Sequence, residues 1–191
     1  MGQKTLYVLG LALAITLILV SGCVKESGDN EKNSGADENT LIDKSTLDLL
    51  PTEADLPGWK FGDVNDTVYY GHYGSGFDSG NLVRALHDET RSITLVKVSK
   101  WASIADTRNF FNIGNAKLID ADLPEVDVSE LKAECLGFRD EIASMKLLII
   151  NCIKNNFVLE LLSGESAQDD FFIVEKDVFR VGNVVVEKIN G

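Results

Sequence analysis

Basic residues are scarce: 18 Lys and Arg stand against 30 Asp and Glu, leaving a net charge of −12 over 191 residues. Nucleic-acid binding depends on cations that displace condensed counterions, so no nucleic acid is expected as a partner. Adhesion to anionic headgroups through a basic patch is disfavoured for the same reason. The acidic excess reads instead as solubility near a crowded surface. Histidine is scarcer still. His72 and His87 are the only two, and neither lies at a spacing from Cys, His or acid that suits zinc. No loop is built to cradle phosphate, and Gly74-Ser75-Gly76 lacks the G-x-S-x-G pattern of a nucleophile elbow. No metal and no cofactor are expected, no catalytic residue is assigned, and hydrolysis ranks last among the functional readings.

The apolar material that is present is unevenly spread. Residues 6–20 read LYVLGLALAITLILV, follow Lys4, and end at Ser21-Gly22 before Cys23. A positive head, an apolar run and a small-residue cut are the parts of a secretory signal peptide. The run falls short of the roughly 20 residues a membrane span needs. The opening Met-Gly does not signal N-myristoylation, because that motif wants Ser or Thr at the sixth position and Leu6 stands there.

Leu19-Val20-Ser21-Gly22-Cys23 resembles a bacterial or archaeal lipobox at every position. The resemblance implies cleavage before Cys23 and a diacylglyceryl or similar thioether on its sulfur. Small side chains at Ser21 and Gly22 let a peptidase reach the backbone, and the thiol is the nucleophile that takes the lipid. The expected location is the extracytoplasmic face of the cell membrane, with the membrane as partner through the lipid anchor. One acyl chain holds only weakly, so a two-chain lipid is required for a stable hold.

Residues 1–22 are thus a signal peptide, and 23–40 a lipidated cysteine with a polar tether. Within the tether, VKESGDNEKNSGADENT has Val24 and Ala36 as its apolar residues. Such a segment cannot bury enough surface to offset its ordering entropy. A flexible coil of this length spans about 20–25 Å. From 41 to 191 the composition is that of one folded extracytoplasmic domain.

In that domain Ser45 caps a short helix that Pro51 ends, and strands are expected at 60–64, 67–73 and 82–86, with a glycine-rich loop at 74–80 between the last two. The clearest central strand is 92–101, with apolar residues on both sides. Ser103 caps a helix to about Ile113 with Phe110 and Phe111 inward. Strands follow at 132–139, 145–153 and 157–162, the last two joined by a turn at Asn155-Asn156. A short helix at 166–172 and a closing hairpin, 178–181 and 184–189 about Gly182-Asn183, complete the pass. Tight turns demand antiparallel pairing, so the fold class is α+β: a curved antiparallel sheet of six to eight strands with one or two helices packed on one face. A closed barrel is the alternative.

With Cys23 lipidated, Cys135 and Cys152 remain as an even pair in an extracytoplasmic protein. A hairpin centred between Ala143 and Ser144 sets them directly opposite, within adjustment of a disulfide. It also sets Glu141 opposite Lys146. The other reading of the pair is two buried free thiols.

The stretch 69–77 interleaves aromatics with glycine, which marks Tyr69, Tyr70, His72 and Tyr73 as candidate ligand-binding residues, beside the plainer reading of an edge strand and hairpin loop. Asp120, Asp122, Glu125, Asp127 and Glu130 read as solvated loop acids rather than a calcium site. Asn65-Asp66-Thr67 matches the N-glycosylation acceptor pattern at Asn65.

Leu50-Pro51, the turn Asp55-Leu56-Pro57-Gly58-Trp59 and the closing Phe179-Arg180-Val181-Gly182-Asn183-Val184-Val185-Val186 resemble those of uncharacterised prokaryotic, often archaeal, surface lipoproteins. The resemblance implies a small α+β module and lends no catalytic residue. A noncatalytic binding module for an unknown protein or small-molecule ligand is the first functional reading. An accessory or structural subunit of an envelope complex is the second.

Overall fold

Three runs, at 93–98, 145–153 and 157–162, are apolar on both sides of a strand, a pattern that asks for cover above and below. The computed structural model describes residues 40–67, 76–142, 145–165 and 171–191, within one unit, Glu38–Gly191. In it these runs form the middle of an open antiparallel sheet, eight-stranded among the described residues. In chain order the elements are α1 (Thr46–Leu49), β1 (Trp59–Phe61), β2 (Asn65–Asp66), β3 (Phe77–His87), β4 (Ile93–Trp101), α2 (Ile104–Asp120), β5 (Glu125–Val126), β6 (Glu134–Ile142), β7 (Met145–Lys154), β8 (Phe157–Glu165) and α3 (Glu175–Asn190). The strand order is β1-β3-β4-β8-β7-β6-β5, with β2 also on β3. The α+β class and the antiparallel sheet are as expected. The sheet ends on β1 and β5 without closing, so it is not a barrel.

Residues paired across antiparallel strands point to the same face, and the register therefore sorts the side chains. Val83 and Ala85 of β3, Val96 and Val98 of β4, Leu159 and Leu161 of β8, and Leu148 and Ile150 of β7 share one face. All are buried, together with α1 and α3 residues. Trp101, Val158 and Ile153 lie on the opposite face and are buried with Phe110 and Phe111 of α2. The long helices are divided between the two faces, not gathered on one. The central strands, apolar on both sides, require this division.

The closing hairpin expected at 178–189 is instead the second half of α3. Val178, Phe179, Val181, Gly182, Val185, Val186 and Ile189 are its buried residues, a spacing of three and four that makes one helical stripe. Valine's weak helix preference is overridden by packing against the sheet. Gly182 is no turn. A Cβ there would lie 2.8 Å from Leu161 Cδ1 and 2.9 Å from Leu131 Cδ2, so glycine is what lets α3 sit close to β8. At the other end of α3, Lys44 Nζ donates to the carbonyls of Lys188 (2.6 Å) and Ile189 (3.4 Å), supplying positive charge to unpaired C-terminal carbonyls.

Other boundaries moved for identifiable reasons. α2 runs past Ile113 to Asp120, because Asn115 and Leu118 are buried on its inner side and hold it beyond Gly114. β3 begins at Phe77, so 77–80 is strand, with a register shift between Phe77 and Ser79. Gly80 permits β2 to approach: a Cβ would be 2.2 Å from Thr67 Oγ1. Only two residues form β2, Asn65 and Asp66; of the strand expected at 67–73, residues 68–73 lie outside the described residues. Of the helix expected at 166–172, residues 166–170 lie outside them as well, and Phe172 forms a parallel bridge to Ser92.

The β6–β7 hairpin pairs Ile142 with Met145, Glu141 with Lys146 and Cys135 with Cys152. The two cysteines are joined by a disulfide, with Cα atoms 4.1 Å apart. β7 and β8 are joined by a tight turn in which Asn155 takes φ 52°, a left-handed conformation asparagine tolerates. That turn also grips the start of the described chain. Asn156 accepts from Ile42 N (2.8 Å) and donates to Ile42 O (3.2 Å), while Asn155 Nδ2 donates to Thr40 O (3.0 Å).

Candidate functional site

Along β4 exposure alternates strictly between Ser92 and Val98: even positions are buried and odd ones half-buried. The even side faces α3. The odd side belongs to the face that α2 covers only in part. Phe110 of α2 stacks on Trp101 with ring centres 4.6 Å apart, and Asn115 accepts from Asn151 Nδ2 at 2.9 Å. The helix therefore crosses from the end of β4 to β7, leaving the far ends of β3, β4 and β8 bare of it.

What lies there is a set of aliphatic side chains with polar ones at its borders. Arg84, Leu95, Leu162 and Ile149 form one row across β3, β4, β8 and β7, and Leu86 with Ile93 form the next. Leu82 heads the row on the other side, followed by Lys97, Glu160 and Asn151. Leu82, Leu86, Ile93, Leu95, Ile149 and Leu162 are all half-buried. Contiguous aliphatic surface is a mark of contact with something else.

The wall of this strip is α2 itself. Phe110 leans toward β4 and Asn115 toward β7, so the flank of α2 carrying Phe110 and Gly114 faces the strip. A Cβ on Gly114 would meet nothing within 4 Å. The contrast with Gly182 is plain: α3 is pressed onto its face, and α2 leaves space beside the strip.

The strip is bordered by positive charge. Lys60 is paired with Leu86 in the register, and Lys60, Arg84 and Lys97 all point to this face. Lys60 Nζ contacts Asp88 Oδ2 at 2.8 Å, and Lys97 Nζ contacts Glu160 Oε2 at 2.6 Å. Arg84 is exposed and has no ion-pair partner among the described residues. In a chain of net charge −12, this local excess of cations is set against the general sign.

Tyr69, Tyr70, His72 and Tyr73, the aromatic candidates, lie outside the described residues, as does Cys23. Asn65 is exposed on β2, and its Nδ2 donates to Asp63 O at 3.1 Å. The acids from Asp120 to Glu130 do not converge. Asp127 instead accepts from Ser129 N, and that bond holds its carboxyl below the usual carboxylate value. Among the described residues no group of three or more His, Cys, Asp or Glu gathers for a metal.

His87 sits in a bracket of another kind. Thr90 donates its hydroxyl to Asp177 Oδ2 at 2.5 Å. His87 Nδ1 lies 2.8 Å from that same hydroxyl oxygen and 3.3 Å from the Thr90 amide nitrogen. Asp177 reaches Thr90 rather than the imidazole, from which it stands 3.7 Å. With Trp59 5.0 Å from the His87 ring, the arrangement ties β1 and β3 to the first turn of α3. A groove of about 360 Å³ on the outer side of α3 is lined by Glu130, Lys132, Lys176, Arg180 and Glu187 among others. Lys132 and Glu187 pair across it at 2.6 Å.

The aliphatic strip was hidden in the sequence because its residues come from four separate strands. The signal was the two-sided apolar pattern of 93–98 and 157–162, which marks either complete cover or a surface in use.

No protein-family model matches this chain, and no curated protein matches it. Among solved structures the chain is similar to the extracellular domain of PknH from Mycobacterium tuberculosis, at 10% identity and a TM-score of 0.50, over 81% of this chain and 99% of that one: a likeness of fold.

Proposed function

We propose that this protein is an extracytoplasmic binding module, held to the membrane by a lipid on Cys23 and noncatalytic. The observation that carries the binding reading is the strip of half-buried aliphatics beside an open flank of α2. Its location is supported by three things: the lipobox at 19–23, a disulfide of the kind that persists in oxidising compartments, and a fold like that of a domain described as extracellular. Among the described residues no helix is long and apolar enough to cross a membrane.

The anchor is tested by expressing the parent and Cys23→Ser side by side. A lipid-sized mass increment and detergent-phase partitioning are expected in the parent alone; equal behaviour of the two rejects the anchor. The strip is tested with Nile red, an uncharged apolar probe. Saturable binding is expected in the parent and a large loss in Leu162→Ser. Equal signals in both would place the probe elsewhere and reject the strip as a binding surface.

A further inference from the structure

We propose that the strip binds an anionic amphiphile with a single long acyl chain, the chain lying across Leu95, Leu162 and Ile149 and the acidic head on Arg84. The inference rests on the strip being a binding surface and names what it takes.

Shape argues for a chain. The row from Arg84 to Ile149 crosses four strands, a width of about 14 Å at the usual inter-strand spacing. It is walled on one side by the flank of α2 at Gly114, where there is open space. A long, narrow, aliphatic floor beside a helix fits an extended hydrocarbon better than a compact polar solute.

Charge argues for the head. The guanidinium of Arg84 ends the row on the exposed side and has no ion-pair partner among the described residues. Its base is fixed over β1's end, with Gly62 N donating to Arg84 O at 2.9 Å. The planar fork of an arginine matches a carboxylate or phosphate in bidentate fashion. The two neighbouring cations already have partners, Lys60 in Asp88 and Lys97 in Glu160, so Arg84 is the one left to receive an acid. A cationic or neutral amphiphile would gain nothing there.

The test uses the full chain in nanodiscs of neutral phosphatidylcholine, with cis-parinaric acid as probe. Emission is excited through the tryptophans, so that only protein-bound probe is read; Trp101, stacked on Phe110, lies on the same face of β4 as Leu95. The parent is expected to bind saturably. Parinaric methyl ester is expected to bind about tenfold more weakly, and Arg84→Gln about tenfold more weakly than the parent, the scale of one charge-assisted hydrogen bond. Gly114→Phe, which fills the open flank, should abolish binding while leaving the urea unfolding midpoint near the parent's.

Nanodiscs containing phosphatidylglycerol separate the sources of the ligand: no competition with the probe is expected, as for a free fatty acid, and competition by this two-chain lipid would overturn the single-chain assignment. If acid and ester bind alike and Arg84→Gln changes nothing, the assigned head is wrong. If parinaric acid does not bind while Nile red does, and Nile red is lost in Leu162→Ser, the ligand class is overturned and the binding surface stands. If neither probe binds, both fall.

Discussion

Single side chains decide how the edges of this fold are held. Thr90 is one, since it serves His87 and Asp177 at once. Thr90→Val keeps the volume and removes both bonds, leaving a largely buried carboxylate and imidazole without that partner. The expected cost is about 1–3 kcal/mol, read as a lower urea midpoint. Asp55 is another. Burial raises its pKa, but the Lys188 ammonium and the hydroxyl and amide of Thr52 outweigh that and hold the carboxyl below its ordinary value. A depressed folded-state value means the stabilisation is complete above the unfolded carboxyl's pKa of about 3.9 and is lost as pH falls through the folded value. Unfolding titrations from pH 7 to pH 2 should therefore find the parent more stable than Asp55→Asn at neutrality, with the two converging in acid. A constant gap at all pH values would show that the carboxylate's charge is not responsible. At this scale the sequence was readable only where partners are close in the chain. Ser45 and Ser103 were legible as caps, and both accept from an amide two or three residues on. Thr90 and Asp177, 87 positions apart, were not.

Elements follow from periodicity, and in one of them residue type and spacing disagree. The valines of 178–186 suggest strand by residue type and helix by spacing; spacing wins because α3 buries one stripe on the sheet. Two helical glycines now give opposite expectations for one substitution. Gly114→Ala adds a methyl to open space and should stabilise by roughly 0.5–1 kcal/mol through helix propensity. Gly182→Ala drives a methyl into buried Leu161 and Leu131 and should destabilise by about 1–3 kcal/mol. Thermal unfolding of the pair checks both signs. The β6–β7 hairpin was the most legible element, since its turn position alone fixed the pairing of Cys135 with Cys152. Replacing both by Ser should cost about 2–4 kcal/mol, as expected for a short loop closed by a disulfide, and reduction of the parent should reproduce the shift.

At the scale of the molecule, the class and the central strands were legible because alternation and turn residues are local. The order of strands was not, since β8 inserts between β4 and β7. Nor was the strip, which needs that order to bring Arg84, Leu95, Leu162 and Ile149 into a row. The aromatics of 69–73 stand out by local richness. The strip does not stand out because no single stretch of it is rich. If the anchor and the strip both hold, detaching the protein by Cys23→Ser should leave Nile red affinity unchanged while releasing the protein from the membrane fraction.

The grip of Asn155 and Asn156 on Thr40 and Ile42 has a mechanical meaning. If residues 23–40 are the tether expected from the sequence, a pull along them enters the domain at the β7–β8 turn. That turn belongs to the two strands flanked by β4 on one side and β6 on the other, in the interior of the sheet. Load is thus delivered to the best-supported strands and not to the two- and three-residue strands at the margins, where a tug would begin to peel the sheet apart. A tether fastened there would pass such a load to the interior of the sheet without prising open the proposed binding surface.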